Sequence, residues 1–151
     1  SYMRGKSAVV LGNGRVARTV VAALLGAGAE VCLVGRNAER VRDRSRQWGC
    51  SACTLEDLPL PADICVNTTP VGQYPNVEDS PLSLEQLDFS LVYDLIYNPA
   101  RTKLLRLAEE REIATVPGVE MFVEQAAEQF RIWTGQDPDR SRMRSLLELK
   151  G

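Results

Sequence analysis

Ser7-Ala-Val-Val-Leu11 runs without interruption into Gly12-Asn13-Gly14-Arg15-Val16-Ala17, and the reading of this stretch decides the fold. The apolar run suits a parallel strand covered on both faces. Gly-x-Gly-x-x-Ala then supplies a tight turn at Gly12, an open backbone at Gly14 and a small residue at Ala17 where helix meets strand. The N–H groups that open such a helix face an anion, so the turn reads as a cradle for the phosphates of a dinucleotide. Gly-x-Gly also occurs in ordinary loops, so the flanking pattern has to support it. It does: Val16, Val20, Ala23, Leu24 and Ala27 recur at helical spacing, Gly28 stands at a helix C-terminal cap, and residues 31–34 form a second apolar strand.

Beyond this β-α-β unit the alternation continues. A charged helix is predicted over 38–48, a short strand over 50–54, and a strand over 63–67 after a connection broken by Pro59 and Pro61. Residues 68–81 carry three prolines and Gly72 without periodicity, which marks a long loop at a strand's carboxyl end, where open α/β sheets bind ligands. Strands over 90–95 and 113–116, with helices over 101–111, 119–134 and 141–150, complete the pattern. The expected fold is α/β: a Rossmann-like, doubly wound parallel sheet of about six strands with helices on both faces. At 151 residues this is one domain, over 5–151, with Ser1–Arg4 set aside as a remnant or hinge.

Composition narrows the chemistry. The chain has no histidine, which removes a Ser-His-Asp triad, a Cys-His pair and every His-ligated metal site. A net charge of −2 gives no general pull toward nucleic acid. The run Arg36, Arg40, Arg42, Arg44, Arg46 lacks interleaved aromatics, and its last three members read as a solvated helix face. No apolar run approaches the roughly 18 residues of a membrane span. No secretory leader opens the chain, so a cytoplasmic protein is expected. Cys32, Cys50, Cys53 and Cys65 read as small hydrophobic thiols of a reducing compartment, with a redox or zinc role for Cys50-Ser-Ala-Cys53 as the weaker alternative.

Five stretches in order, Gly12-Asn-Gly-Arg-Val-Ala-Arg18, Gly35-Arg36-Asn37, Asn67-Thr-Thr-Pro-Val-Gly72, Tyr93-Asp-Leu-Ile-Tyr-Asn-Pro99 and Gly118-Val-Glu-Met-Phe-Val-Glu-Gln-Ala126, resemble the NADP-binding domain of shikimate dehydrogenases. The likeness covers residues 5–138, and 76–81 and 120–122 look most like the bifunctional dehydroquinate dehydratase/shikimate dehydrogenases. It implies cofactor contacts from Gly12, Asn13, Gly14, Arg15 and Val16 at the turn, from Arg36, Asn37 and Arg40 after the second strand, and from Thr69, Val71, Leu95 and Gly118. Tyr97 and Gln125 match the family's substrate-contacting Tyr and Gln.

The residues themselves bear on these roles. No acid occupies 34–37, where NAD-specific domains hold the ribose 2′-OH, and Arg36 with Arg40 one turn on suits a 2′-phosphate. The alternative is a surface arginine pair. For Thr69 it is an ordinary turn, for Gly118 plain capping, and for Gln125 a solvated flank beside the stripe Val119, Phe122, Val123, Ala126, Phe130, Trp133.

The chain also departs from the family pattern. Asn13 and Arg15 replace small residues of the common Gly-Ala-Gly-Gly turn, and Arg15 either grips the pyrophosphate or blocks the backbone's approach to it. Glu120 stands where monofunctional members often have Gly. The family's catalytic Lys-Asp pair belongs to a preceding substrate domain, so no catalytic residue is assigned here and the hinge is expected near residues 3–6. The resemblance implies reversible reduction of 3-dehydroshikimate to shikimate by NADPH, with the small-molecule substrate shared with that other domain. A quinate- or aminoshikimate-type dehydrogenase domain, or a non-catalytic nucleotide-binding module, is the alternative.

Overall fold

The structure, a computed structural model, describes residues 3–150; Ser1, Tyr2 and Gly151 lie outside the described residues. Strands β1 (Ser7–Leu11), β2 (Glu30–Val34), β3 (Ser51–Ala52), β4 (Ala62–Asn67), β5 (Phe89–Asp94) and β6 (Ala114–Pro117) alternate with helices. These are α1 (Arg15–Gly26), α2 (Ala38–Trp48), α3 (Lys103–Glu110), α4 (Gly118–Thr134) and α5 (Arg140–Lys150). The strands form one sheet in the order β3-β2-β1-β4-β5-β6, and every neighbouring pair is parallel. The doubly wound sheet expected from the sequence is therefore present, and its strand order reverses between β1 and β4.

Period-two alternation in β1 explains why both faces are covered. Val9 and Leu11 join the cluster that holds Cys65, Val92, Leu104, Leu105 and Ala108, beneath α3. Ala8 and Val10 point the other way, into Ala17 and Val21 of α1 and Val41 of α2. Burying one aliphatic side chain contributes about 1.5–3 kcal/mol, against about 1 kcal/mol for a helix cap, so burial sets the register and the caps trim the ends. α2 shows that trimming: Asn37 Oδ1 accepts from Arg40 N at 3.0 Å, and Gly49 ends the helix at φ +78°.

Three features differ from the sequence reading. Cys32 and Cys53 are joined as a disulfide with Cα atoms 6.1 Å apart, while Cys50 and Cys65 are free. The cause is sheet pairing: Cys32 stands opposite Ser51, Leu33 opposite Ala52, and Cys53 N donates to Leu33 O at 3.0 Å, which lays Cys53 beside β2. The expectation of four thiols is corrected for this pair. The long connection after β4 contains a short 3-10 turn at Leu84–Gln86, and another precedes β4 at Leu55–Asp57; both are too short to leave a periodic signal. In α4 the buried line runs Val119, Val123, Ala127, one position past Ala126. The side chains of Phe122, Phe130 and Trp133, placed in that stripe above, lie outside the described residues.

Candidate functional site

Loops that leave the carboxyl ends of five neighbouring strands of the sheet converge on one continuous cleft. After β1 comes Gly12, after β2 Arg36, after β4 Thr68 and Thr69, after β5 Leu95 and Tyr97, and after β6 Gly118. One end is a hollow of about 300 Å³ whose wall includes Val16, Thr69, Leu95, Tyr97, Gly118 and Met121. The other end is a trough of about 320 Å³ along Gly12, Asn13, Gly35, Arg36 and Val71, backed by a smaller apolar hollow of about 190 Å³ that reaches Val34 and Leu55. Thr69 lines all three spaces and so marks the middle of the cleft.

Two glycines permit this shape. Gly12 sits at φ +111°, where an L side chain is strained, and a Cβ there would press on Thr68 and Thr69. A Cβ on Gly118 would meet backbone at β5's end, with Ile96 O at 2.6 Å, so helix α4 starts in contact with that loop only because residue 118 has no side chain. Helix α1 opens at Gly14 with no side-chain cap and no acidic residue in its first turn. Its first N–H groups are left for an outside acceptor, as an anion site requires.

A buried polar network fixes the middle. Asn67, Asp94 and Thr102 are all fully buried. Asn67 Nδ2 donates to Asp94 Oδ1 at 3.1 Å, while Asn67 Oδ1 accepts from Thr69 N at 3.0 Å and Thr69 Oγ1 at 2.7 Å. Thr69 Oγ1 in turn accepts from Val71 N at 3.2 Å. Asp94 also accepts from Ile96 N at 3.1 Å and Thr102 Oγ1 at 2.7 Å. Burial raises the Asp94 carboxyl above its ordinary range, and its bonds to Thr102, Ile96 and Asn67 oppose that shift. Burial, then the Asp94 charge, raises the Cys65 thiol, so it stays protonated and inert. Asn67 and Asp94 stand inside two of the quoted motifs, but nothing in the motifs pairs them with each other. Thr102, which the sequence reading placed inside a helix over 101–111, is instead the N-cap of α3.

The remaining expected site residues divide. Gly12, Asn13, Arg36, Thr69 and Val71 share the trough; Val16, Leu95, Tyr97 and Gly118 share the hollow at the other end. Gln125 is exposed, one helical turn beyond Met121 on the same face of α4, outside the hollow's lining. Asn37 and Arg40 lie on a separate depression on the α2 side, away from Arg36. Gly14 and Arg15 line the far side of the glycine turn, so the Arg15 side chain does not lie across the trough. Glu120 accepts two hydrogen bonds from Arg144, at 2.6 and 2.7 Å, and ties α4 to α5. Among the described residues no group of three His, Cys, Asp or Glu side chains is placed to hold a metal.

A six-stranded parallel sheet of this order, with a glycine turn after its first strand and a cleft at the switch point, defines a Rossmann-type domain. A family model described as the shikimate 5′-dehydrogenase C-terminal domain matches residues 118–148. The shikimate dehydrogenase (NADP(+)) of Microcystis aeruginosa is 41% identical over 155 residues, covering 92% of this chain and 54% of that protein. The chloroplastic bifunctional 3-dehydroquinate dehydratase/shikimate dehydrogenase of Arabidopsis thaliana is 40% identical over 140 residues, 89% of this chain and 23% of that protein. The crystal structure of shikimate 5-dehydrogenase from Thermus thermophilus in complex with NADP(H) and shikimate is similar at a TM-score of 0.83, with 35% identity over 96% of this chain and 55% of that one. Over most of its length the chain is similar to the cofactor-binding part of shikimate dehydrogenases. It spans about half the length of the monofunctional relatives it matches.

Proposed function

We propose that this chain is the NADP-binding part of a shikimate dehydrogenase, residues 5–151 forming the cofactor domain, and that the whole enzyme interconverts 3-dehydroshikimate and shikimate in the cytoplasm. The observation that carries this reading is the single cleft spanning five strand ends, with a glycine turn and Arg36 at one end and an apolar hollow at the other. The residues present fit the cofactor: uncapped N–H groups at α1 suit a pyrophosphate, and Arg36 has no carboxylate partner among the described residues. Gly12, Asn13, Gly14 and Val16 would hold the diphosphate, and Arg36 the 2′-phosphate; Arg15, Asn37 and Arg40, which line other depressions, would reach the cofactor only by leaving the positions they hold here. Thr69, Val71, Leu95 and Gly118 would line the dinucleotide's path. When bound, NADPH supplies the hydride.

The chain's own work is orientation. Leu95, Val16 and Met121 give the hollow apolar walls, and Asn67 fixes Thr69 through two hydrogen bonds. Tyr97, half exposed at the rim, and Gln125, a turn further along α4, would meet the substrate. Among the site residues proposed here none is a general acid or base, and the proton-transfer groups are assigned to a substrate domain outside this chain.

The test is titration of the chain with NADPH, NADH and 2′-AMP. NADPH is expected to bind more tightly than NADH, and Arg36→Ala should weaken NADPH and 2′-AMP about tenfold or more while sparing NADH. Equal, feeble binding of all three would refute the reading. Shikimate oxidation by the chain alone would refute the placement of the proton-transfer groups.

A further inference from the structure

On the outer side of the glycine turn, α1 and α2 enclose a second cleft of about 330 Å³. Arg15 and Arg18, three apart on α1, face Arg44 and Trp48, four apart on α2. No carboxylate pairs with any of the three arginines among the described residues, and Asp43, the acid beside Arg44 in sequence, turns to Arg46 at 3.8 Å. Arg44 Nε is enclosed and has no hydrogen-bond acceptor. An enclosed guanidinium donor without an acceptor is unusual in a folded protein, and like charges around one small space repel. Both features are relieved by a compact dianion with several acceptor oxygens. Guanidinium forks match phosphate in this way.

We infer that Arg15, Arg18 and Arg44 form a binding site for a phosphate monoester or inorganic phosphate, distinct from the Arg36 trough and separated from it by Asn13. The inference stands independently of the dinucleotide reading, because it rests on the α1–α2 face and not on the cleft at the strand ends. The ligand is a phosphorylated molecule other than the dinucleotide, whose 2′-phosphate is assigned to Arg36.

The experiment titrates inorganic phosphate into the chain and follows the arginine Nε–H resonances by NMR, with chloride at matched ionic strength as the control. Saturable shifts of the Arg44 Nε–H signal are expected with phosphate only. Arg15→Gln and Arg44→Gln should each weaken phosphate about tenfold, and Arg36→Ala should leave it unchanged. Loss of the response under saturating NADP⁺ but not NAD⁺ would make the site part of the cofactor's own 2′-phosphate contact and overturn the inference. A response that persists under both assigns it to a separate ligand. Loss under both cofactors would place the phosphate at the glycine turn and overturn the inference. So would identical shifts with chloride, or an unchanged phosphate affinity in the Arg15→Gln/Arg44→Gln double variant. Failure of the NADP reading would show instead in Arg36→Ala, whose effect this experiment keeps apart.

Discussion

Replacing Thr102 with Val keeps the shape of the side chain and removes one hydroxyl that serves two buried groups. Its Oγ1 donates to Asp94 Oδ2 at 2.7 Å and accepts from Leu105 N at 3.3 Å, capping α3. Loss of a cap costs about 1 kcal/mol, and loss of a hydrogen bond to a buried charge about 1.5–3 kcal/mol, which together give roughly 2–4 kcal/mol while Asp94 is ionised. The pH dependence separates the two parts. Because burial raises the folded pKa of Asp94 above its unfolded value, the folded chain holds more protons between the two values, and stability falls as pH rises through that window. Thr102→Val removes a bond that lowers this pKa, so it widens the window. Its cost is full above the raised folded value and shrinks toward the cap's share of about 1 kcal/mol as Asp94 becomes neutral. Urea unfolding followed by circular dichroism, from about pH 4.5 to 8, measures this; Thr102→Ser, which keeps the hydroxyl, should show little of the pH-dependent part. A cost that is the same across that range would refute the claim that Thr102 holds a charged Asp94.

Gly118→Ala should destabilise the chain by about 1–3 kcal/mol, because the added carbon meets backbone that cannot swing aside; a thermal melt equal to the parent's would show that α4 can shift. The Asp63 carboxyl is held below its ordinary range mainly by the backbone N–H of Ser7, at 2.8 Å. A lowered folded pKa gives stability that is present above the unfolded value and lost as pH falls through the folded one. Asp63→Asn should therefore flatten the acid limb of the stability curve, and an unchanged limb would remove Asp63 from the account. Glu120→Gln weakens a pair whose members are about a third exposed, so global stability should fall by less than about 1 kcal/mol. Amide exchange in α5 should quicken, and unchanged exchange there would show that other contacts hold the helix.

The parts of this molecule that were legible in its sequence are those set by local periodicity and by single glycines. β1, the Gly12 turn and α2 stand where the pattern placed them, because each combines an unambiguous period with a stop signal at its end. What sequence could not show depends on pairing between distant strands. Cys32 meets Cys53 only because β2 and β3 lie side by side, and Asn67 meets Asp94 because β4 and β5 do. Arg44 was indistinguishable from Arg42 and Arg46 along a charged helix. Its position four residues before Trp48 brings it to the face that meets α1, where its Nε is enclosed.

The two halves of the cleft are built on different physics. Around β4 and β5 the geometry is over-determined: Asn67 bonds the Thr69 loop and Asp94 through its side chain while its carbonyl accepts from Leu95 N at 3.1 Å. Rotation of the Asn67 side chain would break its bonds to Asp94 on β5 and to Thr69 after β4, so the network ties the two loops together. Around β1 and β2 the shape depends instead on glycine backbone and on Arg36, an exposed side chain with many rotamers. Ordering such a side chain costs up to about 2 kcal/mol, which only a charged partner with two or more acceptor atoms readily offsets. A neutral or singly bonded group there would gain little. The rigid half suits positioning of a reacting ring, and the adaptable half suits selection of a phosphorylated ligand, which is the division of labour the proposed function requires.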